Sequence, residues 1–253
     1  MNKKSFLDKL KKHYKIILVI LVVIISTSYL SYLYTKNSYD KKNIYLEESI
    51  NGKSSKIISN DLLDHNGKLF YSLCFWVKID RNNFSKSNNF YKHVLHKGDI
   101  QASETQPGIW LDTNSNELIL IYKTTKDEDV FMENNLINQN MNPNSNKQVI
   151  LETIKISNIP LDRWFNVCIV AEYNIVQVYI NGELTKTNIT DNPIKMNKGD
   201  IYIGGKNKHG FNGTISQLRY YNSSKNYKDI MEIYSKGPNP FDIQEVITVE
   251  DKS

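Results

Sequence analysis

A two-sheet antiparallel β sandwich, carried behind one apolar helix and closed by a short C-terminal helix, is the fold class that these 253 residues predict. Three observations point there. Residues 164–182 (WFNVCIVAEYNIVQVYING) read as two alternating strands around a tight turn at residues 172–174, ending on Asn181-Gly182, a dipeptide that tolerates the positive φ of a hairpin turn. Between residues 56 and 240, short apolar-alternating stretches recur with turn formers between them, the spacing of an all-β sandwich. Residues 16–34 (IILVILVVIISTSYLSYLY) carry no charge at all.

In chain order, residues 1–15 form a basic tail and residues 16–34 a transmembrane helix. At about 1.5 Å per residue these nineteen uncharged residues reach about 28 Å, close to a bilayer's hydrocarbon core. Tyr29, Tyr32 and Tyr34 gather at its far end, where aromatic rings suit the interface. A cleaved signal peptide with a small-residue site at Ser26-Thr27-Ser28 is the alternative; the apolar run continues beyond that point, which favours an uncleaved signal-anchor. Six lysines precede the segment (Lys3, Lys4, Lys9, Lys11, Lys12, Lys15), so the positive-inside bias leaves the N-terminus cytosolic and sends the C-terminal part across, to the cell surface, a lumen or a virion.

The formal net charge of +5 resides in that tail, since residues 1–15 hold six Lys against one Asp and the remainder balances. The basic excess can meet anionic lipid headgroups, and the folded part has no electrostatic case for nucleic acid. Residues 35–55, polar and without period, are expected to be a stalk. Residues 56–240 suffice for one all-β domain. Its strands are expected at 69–79, 92–96, 108–111, 117–123, 149–156, 164–172, 175–180, 200–203 and 214–221. A helix is expected at 227–234, with Ser223, Ser224 or Asn226 as N-cap and Gly237-Pro238 as its stop. The Asn-rich stretch 126–147 reads as a mobile surface loop and residues 241–253 as an acidic, loosely ordered tail.

Five fragments then carry a resemblance to laminin-G-like and pentraxin-like domains of the concanavalin A-like superfamily. They are the early core strand 71–78 (YSLCFWVK), the Trp-initiated hairpin 164–182, the strand with paired glycines 201–205 (IYIGG), the closing strand 211–222 (FNGTISQLRYYN) and the terminal helix 229–238 (DIMEIYSKGP). The resemblance implies a concanavalin A-like jelly roll. The chain is also similar to anchored laminin-G-like proteins of large DNA viruses, and its Asn, Lys, Ile and Tyr usage suits such a source.

Cys74 and Cys168 are the only cysteines. An even count in an exported domain favours pairing, and two buried thiols acting as small hydrophobes are the alternative. Pentraxins join cysteines at these two places, so the resemblance implies a disulfide. Asp112-Thr-Asn-Ser-Asn116 has the first half of a calcium-loop spacing, yet Glu117 stands at the sixth position and Lys123 at the twelfth, so a hairpin turn is expected. The pentraxin calcium loop should also be absent, because residues 206–210 are short and basic. The strand carboxylates that glycoside-hydrolysing members carry are missing, and Asp127-Glu-Asp129 reads as a solvated charge run. No catalytic residue, metal or cofactor is therefore expected, and no enzyme. His93 and His96, at odd spacing, are expected on opposite strand faces. Among the glycan sequons, Asn83, Asn188 and Asn222 are the acceptors expected, with Asn212 poorer because it opens a strand. The function expected is a non-catalytic, lectin-like recognition module for carbohydrate or a glycoprotein surface, since Tyr faces stack on sugars and Asn amides bond hydroxyls. The alternative is a structural protein docking on capsid or other protein neighbours. The ligand-binding residues cannot be named from the sequence.

Overall fold

A computed structural model describes residues 3–46, 48–63, 69–84, 91–102, 105–112, 114–124, 151–205 and 210–238. It divides into two units, Met1–Asn43 and Ile44–Ser253. The first is a single helix, α1 (Lys3–Lys42), whose stretch His13–Lys36 is long and apolar enough to cross a membrane, with a mean hydropathy of 2.5. Two hydroxyls in the apolar stretch are satisfied within the helix. Ser26 donates to Val23 O and Thr27 to Val23 O and Ile24 O, so each satisfies itself on the preceding turn, the arrangement that hydrocarbon demands.

The second unit is a sandwich of two antiparallel sheets. The first holds, in spatial order, β1 (Ile44–Leu46), β13 (Gly213–Tyr221), β4 (Phe70–Ile79), β9 (Trp164–Glu172), β10 (Ile175–Ile180) and β11 (Glu183–Ile189), with β2 (Ile50–Asn51) also on β13. The second holds β3 (Ser55–Ile58), β12 (Asp200–Gly204), β5 (Lys92–Gly98), β6 (Gly108–Asp112), β7 (Glu117–Lys123) and β8 (Leu151–Ser157). Strict alternation in β4 and β9 sends Leu73, Phe75, Val77, Phe165, Val167 and Ile169 into the space between the sheets, where Ile109, Leu111, Leu118 and Leu120 of the second sheet meet them. All are buried, so the two sheets share one core.

The opposite parity of β4 and β9 has a different cover. Cys74, Cys168, Val170, Tyr179 and Tyr221 lie outside the first sheet and pack under Ile230 and Ile233 of α2 (Tyr227–Ser235). Asn226 caps that helix by accepting from Asp229 N, and the Asp229 side chain returns a bond to Asn226 N, a complete capping box. At the hairpins the positive-φ residues sit where turn chemistry asks for them. Tyr173 (φ 54°) turns β9 into β10, and Asn181 (φ 53°) with Gly182 (φ 82°) turns β10 into β11.

Every strand expected from the sequence is present, with ends shifted by up to two residues. One expectation needs correction, and one strand was missed. The segment 35–55 is no stalk: α1 continues to Lys42, and residues 44–46 and 50–51 pair with β13, so the sandwich begins at Ile44 instead of residue 56. These strands are too short to show a period and owe their form to tertiary pairing. The edge strand β11, exposed along almost its whole length, was also not expected. The Asn-rich stretch 126–147, Asp127-Glu-Asp129 and the tail 241–253 lie outside the described residues.

Candidate functional site

A cleft of about 470 Å³ opens where the end of β8, the β10–β11 turn and α2 meet. That volume lies in the range of small-ligand sites, about 300–1,000 Å³. Tyr227, Met231 and Tyr234 fall at i, i+4 and i+7, one stripe of α2, while Ile230 and Ile233 point to the sheet below. Tyr227 is 59% exposed, a bare aromatic face at the cleft mouth. Tyr234 is held by stacking on Trp76, with ring centroids 5.5 Å apart and planes within 15°. Gly182 brings the turn up against this helix: its φ is +82°, and a Cβ there would stand 2.5 Å from Met231 Sδ. Only glycine meets both conditions.

Polar groups line the other side. Asn181 Oδ1 accepts from Asn166 N at 2.9 Å, which fixes the orientation of the amide at the cleft. Asn158 (φ 60°), Ser157, Thr185 and Glu183 complete the rim, over a floor of Ile156, Ile159, Pro160 and Ile180. Glu183 is the one ionisable carboxylate in this lining. The arrangement offers aromatic and aliphatic faces beside amides and hydroxyls, with little net charge.

The residues singled out in the sequence lie elsewhere. Cys74 and Cys168 stand directly opposite on β4 and β9, Cα atoms 4.1 Å apart, joined as a disulfide beneath α2. Asp112 pairs with Glu117 at the β6–β7 hairpin, and Asn114 N donates to Asp112 Oδ1 at 2.8 Å. Among the described residues no group of three or more His, Cys, Asp or Glu converges on one point.

Asn83 is corrected as a glycan acceptor. It is fully buried, and its Nδ2 donates to Asp80 O and to Asn212 O, both at 2.6 Å, so a glycan there is incompatible with the fold. Asn188 sits within β11 and not at a turn, and its Nδ2 donates to the Tyr122 hydroxyl at 2.6 Å. Asn222 Nδ2 is buried.

His93 and His96 are corrected too. The β5–β6 register slips between His93 and Leu95, so Val94 is an extra residue and both imidazoles land on one face. His93 Nε2 lies 2.8 Å from His96 Nδ1. His96 stacks on Tyr202, centroids 4.9 Å apart, and Trp110 meets His93 edge-on at 5.5 Å.

Comparison with known proteins follows the same architecture. The family model described as the concanavalin A-like lectin/glucanases superfamily (Laminin_G_3) matches residues 51–231, most of the sandwich. The chain belongs to that superfamily. No curated protein matches the sequence. Among solved structures, the receptor binding domain of botulinum neurotoxin mosaic serotype C/D is similar with a TM-score of 0.53 at 15% identity, over 75% of this chain and 41% of that one. A second structure, of the receptor binding domain of the C/D mosaic serotype, gives 0.51 at 13% identity, over 77% and 43%. The botulinum neurotoxin serotype D binding domain gives 0.50 at 12%, over 77% and 51%. The match therefore spans about two fifths to one half of those chains, and at these identities it shows a shared fold.

The cleft was not found from the sequence, because its residues come from three separate stretches of the chain, 156–160, 180–185 and 227–234. One signal was legible: the spacing of Tyr227, Met231 and Tyr234 on the helix, opposite the apolar pair that packs inward.

Proposed function

We propose that this chain is a membrane-anchored, non-catalytic recognition module that binds carbohydrate, free or on a glycoprotein, in the cleft beside α2. One observation carries the reading, an exposed Tyr227 and an Asn181 whose amide is fixed by Asn166, both lining one cleft of sugar-binding size. A pyranose presents an apolar face to stack and hydroxyls to bond, and this lining supplies both partners. Hydrolysis of a glycosidic bond calls for two carboxylates about 5–10 Å apart, whereas Glu183 stands alone in this lining. The superfamily includes lectins, which agrees with the same reading. A glycan array probed with the full chain in lipid nanodiscs is expected to show selective binding that Tyr227→Ala weakens at least tenfold. Binding unchanged in that variant removes the cleft from the proposal. An array with no binder at all favours docking on protein neighbours, such as a capsid.

The anchor is α1. Its apolar length and the lysines before it support an uncleaved single pass with the N-terminus cytosolic. Protein extracted from membranes is expected to retain residues 16–34. N-terminal sequencing that begins near Tyr29 overturns this and makes the segment a signal peptide.

A further inference from the structure

His93 and His96 belong to one unbroken line of contacts. His93 Nδ1 lies 2.5 Å from Gly204 O, His93 Nε2 lies 2.8 Å from His96 Nδ1, and His96 Nε2 lies 2.9 Å from Asp99 O. Both ends of the line are backbone carbonyls, which only accept. The two outer nitrogens must therefore both carry hydrogen. A neutral imidazole has a single N–H, so two neutral rings place both hydrogens outward and leave two lone pairs facing each other at 2.8 Å. One added proton fills that gap and completes three hydrogen bonds. A second would set N–H against N–H.

We propose that His93 and His96 bind one proton as a single site, and that this shared proton joins the end of β12, the bulge of β5 and the turn at Asp99. The surroundings hold the geometry in place. Gly204 has φ +65° and lies so close to Ser54 O that a Cβ would stand 2.1 Å from it, so glycine is what lets the backbone bring this carbonyl to His93. The Tyr202 and Trp110 rings enclose His96, with planes 10° and 16° from its own, and such faces favour a cation.

Among the described residues, the charged and titrating groups around the pair are few. The turn contributes Asp99, β12 contributes Asp200 and Tyr202, and β6 contributes only Trp110, which does not titrate. Lys92 on β5, whose Nζ binds Asn83 Oδ1, and Lys53, beside Gly210, are the flanking cations. Burial pushes the His96 imidazole below the ordinary 6.5, opposed by the Asp99 carbonyl and carboxylate. Burial and the charge of His96 push His93 further, to about 3. Burial thus decides where the proton enters, below pH 6.5 and first at His96, and the nitrogen count decides how many enter, one until about pH 3. In that window the unfolded chain holds two protons on these residues and the folded chain one. The pair's contribution to stability is then full above pH 6.5 and falls as pH drops through the step.

Selective ¹⁵N labelling of histidine in the full chain, in nanodiscs, reads the site directly between pH 7.5 and 4. The ring nitrogens of His93 and His96 are expected to move at one common midpoint below 6.5, with one proton taken up between them. In His96→Gln the midpoint of His93 is expected to shift by at least one pH unit, a tenfold change in proton affinity. Separate midpoints in the wild-type chain, uptake of two protons, or no uptake by pH 4 each overturn the proposal, and these readings need no variant to fold. A His93 midpoint indifferent to His96→Gln overturns it as well.

Discussion

Cys74→Ala, or Cys168→Ala, is expected to destabilise the sandwich by about 4–5 kcal/mol in the chain-entropy description, less whatever strain the bond holds. The bridge spans 94 residues of sequence, and most of what it does is done to the unfolded chain, which loses the freedom of that long loop. Its position adds a second effect. Both cysteines are fully buried under α2, against Val170, Tyr179, Tyr221, Ile230 and Ile233, so truncation also opens space beneath the helix. Denaturant unfolding of wild type, of each variant and of wild type with reductant decides the matter. Reductant should bring wild type close to the variants. A loss under about 1 kcal/mol, or wild type indifferent to reductant, shows that the two thiols are free in the protein as it occurs and that the domain faces a reducing space.

The cysteine pairing shows how far residue patterns reach. Cys74 shares the parity of Ser72 and Trp76, Cys168 that of Asn166 and Val170, and the register then brings Cys74 against Cys168 as it brings Trp76 against Asn166. Strands with alternating side chains and turns with Asn-Gly are local facts, and they were legible. The helix was legible for the same reason, with Asn226 one of three candidate caps, and the structure selects it through the Asn226–Asp229 capping box.

What failed to show was non-local. Residues 44–46 and 50–51 have no period of their own, and β13 makes strands of them. The exposed edge strand β11 is held by β10 through backbone bonds that no side-chain pattern encodes. His93 and His96 were assigned to opposite faces by the rule of alternation, and the rule is sound until one residue is added. Val94 is that residue. The cleft beside α2 lay beyond sequence reading because Asn158, Asn181, Glu183 and Tyr227 acquire a common site only when the sheet edges and the helix have met.

Lys97→Met is expected to cost about 3 kcal/mol at neutral pH, unusual for a lysine on a strand. Lys97 is 1% exposed, on the inward side of β5 opposite Ile201. Its ammonium donates to Asn197 O at 2.8 Å, Gly199 O at 2.9 Å, Asn197 Oδ1 at 3.0 Å and Asn60 Oδ1 at 3.2 Å. One cation thus ties the segment before β12 and the turn at Asn60 to β5, and Asn197 Nδ2 returns a bond to Lys97 O. Two effects oppose each other. Burial pushes the ammonium down to about 8, partly countered by Asp200, which relieves the variant of about 3 kcal/mol of desolvation. Against this stand the three N–H donors of one charged group, shared among four oxygens, each bond worth about 1.5–3 kcal/mol, so their loss wins. The pH dependence has a definite sign. The folded state releases this proton near pH 8 and the unfolded chain near 10.5, so the unfolded chain holds more protons between those values. Wild-type stability should therefore rise across that window, and Lys97→Met should lack the slope. Urea midpoints at pH 7, 8, 9 and 10 for both proteins test it, and a variant as stable as wild type at pH 7 would show that the oxygens around Nζ find water as good a partner as the lysine.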